Sequence, residues 1–254
     1  MPTTSAGTTR PETGPAAPPL PPDAVARLRA LVRTGRTAGR TPVLGLVGPP
    51  GAGKSTLAET LARAAADDGL RVVVVPMDGF HLANPVLDAL GLRDRKGAPD
   101  TFDVAGYVAL LRRVRAAGRP TVHAPAFDRG LDLALAGAIA VDPEVDLVIT
   151  EGNYLLHDAG GWQAVGAELD ETWWVACADD ERRRRLVDRH HRHGRDLADA
   201  AAFVATSDEA NARLVAAGAA RASLVLTTDT SGGTGVVGSA VAAPAPRTPT
   251  KGTP

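Results

Sequence analysis

Cysteine, lysine and aromatic residues are all scarce in this 254-residue chain. A single cysteine, Cys177, excludes an internal disulfide framework and any zinc site built from several thiolates. No apolar run approaches the roughly 20 residues that span a bilayer. The first 22 residues also lack the apolar centre of a signal peptide. The expectation is a cytoplasmic protein with no membrane partner. A formal net charge of -1 provides no global pull toward nucleic acid, so no nucleic-acid partner is expected either. Only three of the 28 basic residues are lysines, Lys54, Lys96 and Lys251. In a chain that otherwise uses arginine, a lysine marks a place where a compact point charge is wanted.

What is present is a hydrophobic share of 44%, enough for a real core. Residues 1–22 and 231–254 hold 11 of the 20 prolines among Thr, Ala, Gly and Ser. Such segments bury too little apolar surface to offset their ordering entropy, so 1–22 and 230–254 read as disordered tails around one domain, 23–229. Within it, strand-like and helix-like patterns alternate. Asp23 can cap a first helix with Val25, Leu28, Leu31 and Val32 on one face. Short β-branched or apolar runs at Thr41–Val47, Arg71–Pro76, Val145–Thr150, Thr172–Ala176 and Leu224–Thr227 read as strands, with a weaker one at Thr121–Ala124. Helical periodicity covers Lys54–Asp67, a stretch capped by Asp103 with Tyr107, Leu110, Leu111 and Val114 inward, Asp180–His191 and Ser207–Ala217. Strands that alternate with helices imply an α/β fold, a mostly five-stranded parallel sheet covered on both faces. Ligands of such sheets bind beyond the C-terminal strand ends.

Gly48-Pro49-Pro50-Gly51-Ala52-Gly53-Lys54-Ser55 fits G-x-x-x-x-G-K-[ST], and Thr56 follows inside the next helix. An apolar strand precedes it and an amphipathic helix follows. Glycines let backbone N–H groups curl around phosphate oxygens, and the helix N-terminus adds positive potential. Lys54 is placed for the β/γ-phosphates and Ser55 for Mg²⁺. The predicted architecture is therefore the three-layer P-loop NTPase fold. No N-K-x-D base-reading motif accompanies the loop, and no L-S-G-G-Q signature. Small-molecule kinases, nucleotide kinases and ATP-dependent regulatory modules remain. Asp78 stands 24 residues beyond Lys54, the length of one helix plus one strand. That spacing puts its carboxylate at the next strand end, where it either handles the proton of an attacking hydroxyl or closes a turn with Gly79.

The blocks MDGFHL and ANPVLDALGLRDRKGAPDTFDVAGY resemble the phosphoribulokinase/uridine kinase family of P-loop kinases. Within it they are most similar to type I pantothenate kinases and to related bacterial nucleoside- or fructose-kinase-like proteins. The resemblance runs from about Pro42 to Tyr154 and more loosely to Val215. It implies ATP, Mg²⁺ and transfer of the γ-phosphoryl group to an alcohol on a small-molecule acceptor. It also implies that Asp78 is the catalytic base and that Glu151, in Ile149-Thr150-Glu151-Gly152, helps hold Mg²⁺. The segment His123-Ala-Pro-Ala-Phe127-Asp128-Arg129 matches a part of the family that contributes to the acceptor pocket. His81, Lys96, Tyr107, Phe127, Arg129 and Tyr154 are the candidates for acceptor binding, and simple packing is the competing reading of each aromatic.

Asp180–His193 crowds basic residues into two to three turns. Arg185 and Arg189 stand four apart and share a face. Related kinases carry arginines here on a helical lid over the phosphates, against which stands a solvated basic face. His190, His191 and His193 read as surface histidines, since no acidic or thiol ligand is spaced for a metal. The expected activity is phosphoryl transfer from ATP–Mg²⁺ to a hydroxyl of a nucleoside, a sugar or a pantothenate-like alcohol. The alternatives are a regulatory nucleotide-binding module and a nucleoside monophosphate kinase. Assembly as a homodimer is open.

Overall fold

The structure is a computed structural model that describes residues 20–228 and 234–236. In chain order the main elements are α1 (Pro22–Thr37), β1 (Val43–Val47), α2 (Lys54–Asp67), β2 (Val72–Pro76), a 3₁₀ turn (Met77–Phe80), α3 (Asn84–Leu90) and α4 (Val104–Arg115). There follow β3 (Val122–Asp128), β4 (Leu133–Val141), β5 (Leu147–Gly152), α5 (Gln163–Gly166), β6 (Glu171–Cys177), α6 (Asp179–Arg192) and α7 (Leu197–Phe203). A π-helical turn (Val204–Asp208), α8 (Glu209–Ala216), β7 (Leu224–Thr228) and β8 (Thr234–Val236) complete the described chain.

The main sheet has the order β2-β5-β1-β6-β7-β8, and its first five strands are parallel. These are the five strands expected from the sequence. β8 pairs antiparallel with β7, so a strand occurs at 234–236 where a structureless tail was expected. The remainder of the expected disorder, 1–19, 230–233 and 237–254, lies outside the described residues. Helix α1 also differs from expectation. It begins at Pro22, and Pro21 precedes it without a side-chain cap, so Asp23 sits in the first turn instead of capping it. There its charge complements the positive helix end.

Strand alternation sorts the core into two layers. On one face Leu44, Leu46, Ile149, Trp173 and Val175 pack against Leu28, Leu31, Leu57 and Leu61 of α1 and α2. On the other, Val43, Val47, Val148 and Trp174 meet Tyr107, Leu111 and Val114 of α4 together with Phe80, Phe102, Tyr154 and Trp162. Asp103 caps α4 as expected, its Oδ1 accepting from the N–H of Gly106 at 2.8 Å.

The weak strand predicted at 121–124 is longer, and its role is different. β3 pairs antiparallel with β4 in a separate two-stranded sheet. Arg119 anchors its base, buried and donating to the carbonyls of Val114, Pro120, Val141 and Asp142. At the far end the hairpin presses on the turn after β2. A Cβ on Gly79 would lie 2.4 Å from the carbonyl oxygen of Pro125, so only glycine admits this approach. No helix among the described residues is long and apolar enough to cross a membrane.

Candidate active site

One cleft of about 710 Å³ opens at the C-terminal ends of β1, β2 and β5, where a parallel sheet gathers its loops. Its floor is the loop between β1 and α2. Gly51 and Gly53 have φ of 80° and 92°, values that favour glycine and that turn the chain into the first turn of α2. The N–H groups of that turn have no carbonyl partner within their own helix. Pro50, Gly51, Gly53, Lys54, Ser55 and Thr56 line the cleft. Ala52 is buried beneath it. Gly48 and Pro49 lie behind, and each carbonyl accepts from Lys54 Nζ at 3.0 Å.

Lys54 is 8% exposed. Its ammonium also donates to Asn153 Oδ1 at 2.7 Å. Burial pulls its pKa down to about 8, against the opposing pull of Glu151 and Asp78. Glu151 is the next-to-last residue of β5, and burial together with the neighbouring Asp78 raises its pKa. Ser55 Oγ donates to Glu151 Oε1 at 2.9 Å. A hydroxyl and a carboxylate oxygen side by side form the kind of hard donor set that suits Mg²⁺, and a cation there would offset the buried charge.

Asp78 lies in the 3₁₀ turn after β2, and Arg129 from the end of the hairpin donates to its Oδ2 at 3.2 Å. Both residues line the cleft. His81 closes the same turn, and its Nδ1 donates to the Asp78 carbonyl at 2.8 Å. Burial holds the His81 pKa down, so the ring is neutral and Nε2 is left as an acceptor. The imidazole packs between Phe102 and Phe127 at centroid distances of 4.1 and 4.7 Å. Lys96 reaches in from the loop after α3. It is held by Asn84 Oδ1 at 2.8 Å and Asp132 Oδ2 at 2.8 Å, and stands 5.2 Å over the Phe127 ring.

Two of the proposed acceptor contacts belong elsewhere. Tyr107 and Tyr154 are both fully buried and do not line the cleft. Tyr107 stands on the inward face of α4, where its hydroxyl pairs with Thr150 Oγ1 at 2.5 Å. Thr150 Oγ1 in turn donates to the Val75 carbonyl at 2.6 Å. Tyr154 donates to the Gly97 carbonyl at 2.6 Å and so shapes the loop that carries Lys96. Proximity to a motif could not reveal that both rings turn into the core.

Helix α6 divides its arginines. Arg182 is 1% exposed and pairs with Asp179 at 3.3 Å and with Glu209. Arg183 joins Glu209 at 3.1 Å, and Arg184 joins Glu181 at 2.8 Å on the outside. Arg185 and Arg189 both line the cleft. Glu181 steadies Arg185 at 2.6 Å, and the same guanidinium donates to Cys177 Sγ at 3.7 Å. Arg189 is half-buried, and burial together with Arg129 lowers its pKa. His190 corrects the surface reading. It lines the cleft, bonds Asp208 at 2.8 Å and packs edge-on against Phe203. The sequence reading also missed Asn153 and Asp208, which reach the site from long range without a local motif.

Three kinds of similarity bear on this arrangement. The family model for the methylmalonyl Co-A mutase-associated GTPase MeaB matches residues 21–81, the segment with α1, the phosphate loop and Asp78. Uncharacterized protein YggC of Escherichia coli is 36% identical over 189 residues, 74% of this chain and 78% of YggC. A candidate uridine kinase of Schizosaccharomyces pombe, C227.14, is 33% identical over 154 residues, 58% of this chain and 66% of its own length. The crystal structure of a candidate fructose transport system kinase from Silicibacter sp. TM1040 superposes with a TM-score of 0.67 at 41% identity, covering 75% of this chain and 94% of that one. The chain belongs to the phosphoribulokinase/uridine kinase family of P-loop kinases and is an ATP-dependent small-molecule kinase.

Proposed function

We propose that this kinase, working in the cytoplasm, moves the γ-phosphoryl group of ATP to a hydroxyl of a small polar metabolite seated between the hairpin and α6. The observation that carries the reading is Asp78, oriented by Arg129 and by its own turn in the cleft that also holds Lys54, Ser55 and Glu151. The acceptor oxygen forms a bond to the γ-phosphorus as the bond to the β-phosphate bridging oxygen breaks. ADP leaves, and the hydroxyl proton passes to the Asp78 carboxylate. Lys54 and the α2 N-terminus hold the phosphates, and Arg185 and Arg189 oppose charge on the transferring group. Ser55 and Glu151 are the residues that would hold Mg²⁺, which when bound neutralises charge on the β- and γ-phosphates.

Beside the hairpin three cations of the cleft are already engaged: Lys96 by Asp132, Arg129 by Asp78 and Arg93 by Asp88 at 3.6 Å. This balance favours an acceptor without a phosphate of its own over a nucleoside monophosphate. The test is ADP release from ATP–Mg²⁺ across sugars, nucleosides and pantothenate-like alcohols. Acceptor-dependent release supports the reading, and no release with any of them rejects it.

A further inference from the structure

Asp208 and His190 form a polar pair inside the cleft that phosphate binding and proton transfer leave unused. Asp208 is 7% exposed, at the end of the π-helical turn, a distortion that recurs at functional sites. His190 Nε2 meets its Oδ2 at 2.8 Å. The imidazole is fixed edge-on against Phe203 at 5.0 Å, and Arg195 covers that ring at 4.1 Å. Among the described residues no donor engages the other carboxylate oxygen, Oδ1. Asp208 lines the cleft. Asn211, one turn on, lines the same wall.

The bond to His190 holds Asp208 against α6, and both residues line the cleft. Asp208 therefore belongs to the α6 side of the cleft, one of the two walls between which the acceptor is proposed to sit.

We propose that Asp208 is a specificity carboxylate that accepts a hydrogen bond from a second hydroxyl of the acceptor, with His190 as its positioning residue. The inference rests on the kinase reading above and narrows it to neutral polyhydroxyl compounds. Carboxylate oxygens accept hydrogen bonds, so the position rewards a hydroxyl and disfavours a second carboxylate or a phosphate there.

The experiment measures ADP release with D-ribose, D-fructose and glycerol against glycerate and pantothenate, and then with deoxy analogues of the compound turned over best. A neutral polyhydroxyl compound is expected to be used, and one deoxy analogue is expected to lose at least about tenfold in kcat/KM, as a bond to a charged group implies. Asp208→Asn raises the KM of the parent compound at least about tenfold, leaves kcat and the KM for ATP within about threefold, and distinguishes the deoxy analogue by a smaller factor than the unaltered enzyme does. His190→Gln raises the same KM by less. Preference for the carboxylated alcohols, or no deoxy analogue that loses activity with the unaltered enzyme, overturns the proposal while phosphoryl transfer stands. Both of these readouts need no variant, so they decide the matter even where Asp208→Asn fails to fold. ADP release with no compound rejects the kinase reading itself.

Discussion

Ser55 Oγ lies 2.9 Å from Glu151 Oε1, so the first turn of α2 and the C-terminal end of β5 are joined by one hydrogen bond. The parallel register sets this up. Leu46 pairs with Glu151 and Val47 with Gly152, which brings the carboxylate level with the start of the phosphate loop.

Glu151→Gln separates stability from activity. The folded-state pKa of Glu151 lies above its ordinary value. Its ionised form therefore costs stability, a cost absent at pH below the unfolded pKa and incurred as pH rises through the folded one. The amide removes the charge, and the expected outcome is a higher Tm at pH 7 by calorimetry. The same variant is expected to need more Mg²⁺ and to lose about 10–100-fold in kcat/KM. A lower Tm together with unchanged Mg²⁺ dependence would falsify both halves.

Lys54 has the opposite charge and a window at higher pH. Its pKa falls from 10.5 to about 8 in the fold. Between those values the unfolded chain binds more protons than the native one, so stability rises with pH across that interval. Phosphate binding needs the protonated amine. The expected profile of kcat/KM for ATP therefore bends downward near pH 8, while Tm does not fall in step. Lys54→Ala is expected to abolish turnover and weaken ATP binding by calorimetry.

Asp78→Asn keeps the shape of the side chain and an oxygen facing Arg129 but cannot take a proton. Loss of a general base costs about 10²–10⁴ in rate. ATP binding should stay within a few-fold while kcat drops at least about a hundredfold. If ATP binding collapses as well, Asp78 belongs to the metal site and the proton acceptor is another group.

The arginines of α6 are expected to fall into separate groups under mutation. Arg185→Ala and Arg189→Ala should lower kcat more than they raise the KM for ATP. Arg184→Ala, on the exposed outer face, should change neither. Arg182→Met breaks a buried ion pair and should cost stability, about 3 kcal/mol by urea titration.

Tyr107→Phe tests the reassignment of that ring from ligand wall to core. The loss of the bond to Thr150 is expected to cost about 1 kcal/mol in stability, with both KM values unchanged. A raised acceptor KM would return Tyr107 to the pocket.

The parallel strands and the phosphate loop were legible because each rests on local pattern: β-branched runs, glycine spacing, and the capping Asp103. The hairpin was not. β4 reads LALAGAIAV, mostly exposed along its length, so no alternation between a buried and a solvated face marks it as a strand. Asn153, Asp208 and the inward turn of Tyr154 depend on contacts across 57 to 99 residues or on a distorted helix turn. His190 follows Arg189 directly, and nothing in the sequence distinguishes an imidazole pointing into the cleft from one pointing into water.

Thr150 and Glu151 are adjacent on β5 and face opposite layers, one bonded to Tyr107 above the sheet and the other to Ser55 below it. A slip of one residue would exchange them. The carboxylate would then be driven among Phe80, Tyr107 and Trp162, and the hydroxyl would be left beside the phosphate loop. The two neighbours thus work as a parity check during assembly: a misregistered strand carries its own penalty, and only a correctly aligned sheet yields an acid at the cleft.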